Sequence, residues 1–127
     1  MRYLLIFAAS GTGGLARYAL SRLIQTALPG SFPAGTFTVN MIGCFLAGLL
    51  AASFERWVIP PDLRLLVFAG FLGGFTTFSA FALETASLFK GAEWRIAGLN
   101  LLLTNLCGVA LVIAGFLVFQ SIVKAFK

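Results

Sequence analysis

The sequence predicts an all-α membrane protein of four transmembrane helices with a break in the third. Three observations carry this. The 127 residues are 60% hydrophobic and only 10% charged, with a mean hydropathy of +1.00, far outside the composition of an ordinary soluble domain. The apolar residues gather into four stretches, about 3–23, 37–54, 65–89 and 96–123, each long enough to supply the ~20 residues that cross a ~30 Å hydrocarbon core. Within the third stretch, Gly70-Phe71-Leu72-Gly73-Gly74-Phe75-Thr76-Thr77-Phe78-Ser79-Ala80-Phe81 puts glycines and paired hydroxyls where a plain anchor needs neither. Little chain remains for a soluble domain, so residues 1–127 read as a single four-span membrane domain with short loops.

Span one begins after Arg2, and Ala8-Ala9-Ser10 gives its start the outline of a signal peptide. The apolar core between them is too short, and the segment runs on through Gly11, Gly13 and Gly14 to Tyr18, Ala19 and Leu20, so a membrane span is the better reading. Arg17 stands in its last third. It can snorkel to the headgroups, cap carbonyls or pair with another span, and all three remain open.

Pro29-Gly30 and Pro33 punctuate the first connection, and span two opens Gly35-Thr36-Phe37-Thr38-Val39-Asn40. Asn40 is a strong hydrogen-bonding group at membrane depth. By residue type alone it reads as interhelical glue worth about 0.6–2 kcal/mol, with Gly43 and Gly48 permitting close helix approach. A functional role would be donation of its amide N–H to an anion.

Pro60-Pro61-Asp62 precedes span three. In hydrocarbon every backbone N–H and C=O needs a partner inside the protein, so interrupted helix survives only where it is buried or lines a cavity. A break at Gly73-Gly74 with the helix resuming near Thr76 or Thr77 sets Thr77, Phe81 and Glu84 at i, i+4 and i+7 on one stripe, with Phe78 beside it. Free N–H groups at the new helix start favour an anion, and unwound carbonyls just before it favour a small cation. Ring edges of Phe78 and Phe81 add positive electrostatic potential without hydrogen bonds. Glu84 is an intramembrane carboxylate, read as part of an ion pathway or as a helix-end group reaching water.

Lys90-Gly91-Ala92-Glu93 leads into span four, which carries Asn100, Thr104, Asn105 and Gly108. Asn100 and Thr104 share a face, either as a polar track or as a helix pin. The nine Lys and Arg are scattered rather than clustered, which argues against a nucleic-acid partner. With both termini and the second connection on one side, that face holds Arg2, Arg56, Arg64, Lys124 and Lys127, and the other Arg22, Lys90 and Arg95, plus Arg17 if it reaches the interface. So small a bias sets orientation weakly and leaves insertion in either sense open. Cys44 and Cys107 lie in apolar spans without paired spacing, and the chain has no histidine, so disulfide and metal readings are both weak and the two read as small hydrophobes. A single deep carboxylate without a titrating partner also argues against an enzyme.

Gly73-Gly74-Phe75-Thr76-Thr77-Phe78-Ser79-Ala80-Phe81 followed by Glu84 closely resembles the signature of the bacterial Fluc (CrcB-type) fluoride channels. Gly13-Gly14 leading to Arg17-Tyr18, Gly35-Thr36 with Val39-Asn40-Met41-Ile42-Gly43, and the four-span length agree in order, so the resemblance covers essentially the whole chain. It implies an antiparallel, dual-topology homodimer in the bacterial inner membrane. Fluoride would leave the cytoplasm passively through pores along the subunit interface, relieving fluoride toxicity. It further implies that Phe78, Phe81 and Asn40 line the fluoride path, that Thr77, Ser79 and Thr36 supply hydroxyls, that Glu84 is the pore-side carboxylate and that Arg17 stands near the vestibule. Backbone carbonyls of Gly73 and Thr76 from both subunits would hold a structural sodium ion. Ala80, Ala82 and Gly108 depart from the family pattern at positions that usually carry small hydroxyl residues. The runner-up is a small four-span proton-coupled drug exporter, but such exporters carry their membrane glutamate in span one, where this chain has Arg17. A non-transporting membrane subunit would leave the break unexplained.

Overall fold

Four long helices are joined by short connections in the computed structural model, which describes residues 1–125; Lys127 of the charge balance lies outside the described residues. Helix α1 spans Arg2–Ala27 and α2 spans Ala34–Arg56. Helix α3, Pro61–Lys90, falls into two parts. Its first part, α3a, runs through Pro61–Leu65, a π-helical stretch Leu66–Leu72 and a last turn Gly73–Phe75; its second, α3b, is Phe78–Lys90. Helix α4 is Trp94–Ala125. Among the described residues there is no strand.

The ends follow local chemistry. Pro61 occupies the first turn of α3a with Asp62 beside it, where a missing N–H costs nothing and a negative charge meets the positive end of the helix dipole. Asp62 also accepts from the Arg2 guanidinium, tying the start of α1 to the start of α3a. At the other end of α1, Gln25 donates its amide to the Gly30 and Phe32 carbonyls at 3.3 Å each and accepts from the Gly35 N–H at 3.1 Å. One side chain thereby orders the α1–α2 connection and satisfies a free donor at the start of α2.

The helices overrun the expected spans at both ends, because helical hydrogen bonding continues through polar flanks that hydropathy excludes. Helices α2, α3 and α4 are long and apolar enough to cross a membrane. Helix α1 is long enough at 26 residues, but Ser10, Thr12, Arg17, Ser21 and Arg22 dilute its apolar character.

The break in α3 lies three residues beyond the glycines. Gly73 and Gly74 are helical, and the extended residues are Thr76 (φ −87°, ψ 158°) and Thr77 (φ −150°, ψ 118°). The glycines serve packing: a Cβ on Gly74 would meet the Ser10 carbonyl, and one on Gly13 the Phe71 carbonyl, so α1 and α3a touch backbone to backbone. The β-branched threonines are the residues that accept extended backbone readily.

The break also changes the helix's neighbour. Part α3a packs along α1, whereas α3b packs on α4, and α2 lies against α4 along its length. Gly48 and Gly115 make that last contact close, each with no room for a Cβ before the opposing backbone. Val39 and Ala97 are fully buried, whereas Leu99, Leu102, Leu106, Val109, Ile113 and Leu117 form an exposed apolar stripe on α4.

Candidate functional site

One face of α2 grips the break. Thr36, Asn40 and Gly43 succeed one another at i, i+4 and i+7, and each engages α3 differently. The Thr36 hydroxyl donates to Glu84 Oε1 at 2.7 Å. Asn40 donates from Nδ2 to the Thr77 carbonyl at 3.0 Å and accepts from the Thr77 N–H at 2.8 Å. A Cβ on Gly43 would meet the Thr76 methyl group, so that glycine seats the first residue of the break. Two-sided bonding by Asn40 gives the extended main chain the partners that helix no longer supplies, as membrane depth requires.

The restart of the helix is capped by its own sequence. Thr77 Oγ1 accepts from the Ala80 N–H at 3.2 Å and shares a 3.3 Å hydrogen bond with Ser79 Oγ. The Phe78 and Ser79 N–H groups belong to the first turn of α3b and have no intrahelical acceptor. On the other side of the break, the Thr77 N–H that a continuous α-helix would send to the Gly73 carbonyl goes to Asn40 instead.

Two cavities meet at this junction, and Thr77 lines both. The larger, about 920 Å³, opens among Arg17, Tyr18, Arg22, Thr36, Glu84 and Glu93. Arg22 donates to the Tyr18 hydroxyl at 3.1 Å. Glu84 Oε2 is buried without a hydrogen-bond partner among the described residues. The smaller cavity, about 380 Å³, is lined by Asn40, Gly73, Thr76, Phe78, Phe81 and Thr104, among others. The Phe78 and Phe81 rings lie 5.6 Å apart at 56°. Phe81 is 5% exposed and Phe78 76%.

The sequence-singled residues therefore separate into two groups. Arg17, Thr36 and Glu84 face the larger cavity; Asn40, Gly73, Thr76, Phe78 and Phe81 face the smaller. Ser79 is exposed and touches the site through Thr77. Of the span-four candidates, Asn100 is a helix pin: its Nδ2 donates to the Thr85 hydroxyl at 2.8 Å, and Thr85 donates to the Phe81 carbonyl at 2.7 Å. Thr104 donates to Asn100 Oδ1 at 3.3 Å and reaches the smaller cavity. Asn105 turns back to the Leu101 carbonyl at 2.7 Å and is exposed.

Thr85 and Gln25 escaped the sequence reading, which placed Arg22 only in the charge balance of the two faces. For Thr85 the available signal was its position four residues after Phe81 on the same helix face. Arg22 carried the signal of standing five residues past Arg17 at the same end of α1, which brings a second cation to the larger cavity.

The family described as CrcB-like protein, Camphor Resistance (CrcB), matches residues 4–116. The chain is 42% identical over 124 residues to a protein of Maridesulfovibrio salexigens named "Fluoride-specific ion channel FluC", covering 97% of this chain and 98% of that one. Proteins of the same name from Nitrosococcus oceani and Desulforapulum autotrophicum are 44% identical over 117 residues and 43% identical over 122, covering 91% and 95% of this chain and 94% and 98% of theirs.

Proposed function

The chain belongs to the CrcB-like family, and from that premise we propose that it is a fluoride-selective channel of the bacterial inner membrane, a multi-pass protein that lets fluoride leave the cytoplasm down its gradient. It is a channel and not an enzyme. The observation that carries the reading is the restart of α3 at Thr77, where free helix-start N–H groups and the ring pair Phe78–Phe81 sit at the junction of two cavities.

Fluoride must exchange a tight hydration shell for protein donors and still be released, so a path of several moderate contacts suits it better than one deep site. In the larger cavity Arg17 and Arg22 offer cationic groups to an entering anion, while Glu84 and Glu93 balance their charge and keep the attraction moderate. The Thr77 region then offers hydroxyl and N–H donors at the positive end of the α3b dipole. Beyond it the ring edges of Phe78 and Phe81 offer positive potential in a narrow apolar passage that holds no fixed negative charge. Asn40 holds the break in shape and keeps a second amide N–H beyond the one given to Thr77.

Four spans and an antiparallel, dual-topology homodimer complete the proposal. The exposed Phe78 ring supports a second copy, because one chain walls the path on one side only. The nearly balanced charges of the two faces support insertion in both orientations. Structural sodium at Gly73 and Thr76 fits the chemistry of the break: the Gly73 carbonyl has lost its helical donor, Thr76 is extended, and both line the same cavity. When bound, sodium would supply positive charge between the two breaks, held by carbonyl oxygens of the kind that coordinate such ions in broken membrane helices.

The test is fluoride efflux from liposomes containing the purified protein, with chloride in parallel and valinomycin to carry compensating potassium. Rapid fluoride release that needs valinomycin, without chloride release, supports a selective electrogenic channel. No release from protein shown to be dimeric overturns it and brings the proton-coupled exporter forward.

A further inference from the structure

At the opposite end of the molecule from the larger cavity, α2 and α4 finish side by side around a pocket of about 390 Å³. Arg56, the last residue of α2, and Lys124, in the last turn of α4, stand at its rim with Glu55 and Gln120. The floor is apolar: Phe119 and Ala52 line it and are buried. Trp57 packs edge-on against Phe119 with ring centroids 5.3 Å apart, and it is 57% exposed.

We propose that this pocket binds the headgroup of an anionic phospholipid, with the phosphate between Arg56 and Lys124 and the glycerol and upper acyl carbons against Phe119 and Ala52. The two cations partly serve the negative ends of the α2 and α4 dipoles. Their donors remain available, because among the described residues the only ion pair is that of Arg2 with Asp62. Two cations against one carboxylate, Glu55, leave the rim with an excess positive charge. An exposed tryptophan beside an apolar floor and a cationic rim marks the depth at which headgroup meets acyl chain, where aromatic residues anchor and basic pockets between helices take lipid phosphates. None of these residues lines either cavity at the break, so the pocket stands apart from the proposed pathway.

The chain has two tryptophans, Trp57 and Trp94, and Trp94 lies at the start of α4, at the other end of that helix. Trp94→Phe therefore leaves Trp57 as the sole reporter. Full-length protein is reconstituted in phosphatidylcholine vesicles with rising fractions of lipid brominated near the headgroup, either phosphatidylglycerol or phosphatidylcholine, and quenching of Trp57 is read. Quenching by the anionic lipid should half-saturate at about a fivefold lower fraction than by the zwitterionic one, the preference that one excess cation near the surface confers. Arg56→Gln with Lys124→Gln, which leaves Glu55 uncompensated, should remove that preference and turn it toward the zwitterionic lipid, and Glu55→Gln should raise it by a similar factor, an effect of opposite sign that misfolding cannot mimic. Equal quenching by the two lipids, or a preference indifferent to these substitutions, overturns the proposal. Relief of quenching by millimolar inorganic phosphate would assign the pocket to a soluble anion, and protection of Trp57 from both lipids would place a second copy of the chain over it; either result also overturns the lipid assignment.

Discussion

Asn40 closes its carboxamide on the main chain of Thr77, donating to the carbonyl at 3.0 Å and accepting from the N–H at 2.8 Å. In effect the side chain acts as a short neighbouring strand for one extended residue, which lets the helix open within a membrane span without orphaned backbone groups. Asn40→Asp keeps the acceptor but turns a carboxylate oxygen toward the Thr77 carbonyl. Loss of the donor from a buried pair costs about 1–3 kcal/mol, so thermal unfolding in detergent should occur at lower temperature and fluoride efflux from liposomes should fall about tenfold or more. Undiminished efflux would remove Asn40 from the pathway.

One turn earlier on α2, Thr36 holds Glu84 Oε1 at 2.7 Å while Oε2 is buried without a partner among the described residues. Hydrogen bonds to charged groups contribute about 1.5–3 kcal/mol. Thr36→Val, which keeps shape and deletes the hydroxyl, should destabilise the protein by that amount and slow fluoride efflux. In a Glu84→Gln background the same substitution should cost markedly less, because the charged acceptor is gone. A double-mutant cycle on unfolding and on flux reads the coupling; additive effects would show that the Thr36–Glu84 contact is incidental.

Gly13 and Gly14 are neighbours in sequence and opposites in packing. A Cβ on Gly13 would meet the Phe71 carbonyl and the Phe75 nitrogen, whereas nothing lies within 4 Å of one on Gly14. Gly13→Ala must push α1 from α3a and should destabilise by about 1–3 kcal/mol. Gly14→Ala meets no obstacle and replaces a poor helix former, for a gain of up to about 1 kcal/mol. Thermal unfolding of the two variants should move in opposite directions, and a shared direction would contradict the backbone-to-backbone contact.

Ala92, in the turn between α3b and α4, has φ 59°, a left-handed conformation that costs a side-chain-bearing residue about 1–2 kcal/mol. Glycine removes that strain but adds about 0.4–1 kcal/mol of chain entropy to the unfolded state. The balance favours Ala92→Gly by about 0.5–1 kcal/mol, visible as a raised unfolding temperature. Because Ala92 lines neither cavity, efflux should be unchanged.

The four-helix pattern and the existence of a broken third helix were legible because hydropathy reports lipid contact and because Thr76-Thr77 is out of place in a plain anchor. The position of the break was not. Glycines next to a polar pair read as the weak point, but whether a glycine opens a helix or seats it depends on what lies opposite, and Ser10 lies opposite Gly74. For the same reason Asn40 presented two readings that only its partner separates, and Thr85 was invisible until Asn100 reached it across 15 positions in sequence. Residue type declares bonding capacity, and the fold alone declares the partner.

Phe81 and Phe78 share a ring contact at 5.6 Å but differ in burial, 5% against 76%. Phe81 is also fixed from behind, its carbonyl accepting from Thr85, which is in turn held by Asn100 of α4. That anchoring holds the turn of α3b that carries the ring against α4, and a ring solvates an anion only when its positive edge is aimed at the path. Phe81→Ile keeps an apolar side chain in a buried site but leaves a small void where the ring was, so its packing cost should be about 1–3 kcal/mol. Loss of the ring edge, worth about 0.5–1.5 kcal/mol, should slow fluoride efflux by about threefold to tenfold while the protein remains folded. Thr85→Val should loosen the same ring without removing it and give a smaller loss of flux. If Thr85→Val slows efflux as much as Phe81→Ile, the orientation of the ring matters more than its presence; if neither slows it, fluoride does not pass Phe81.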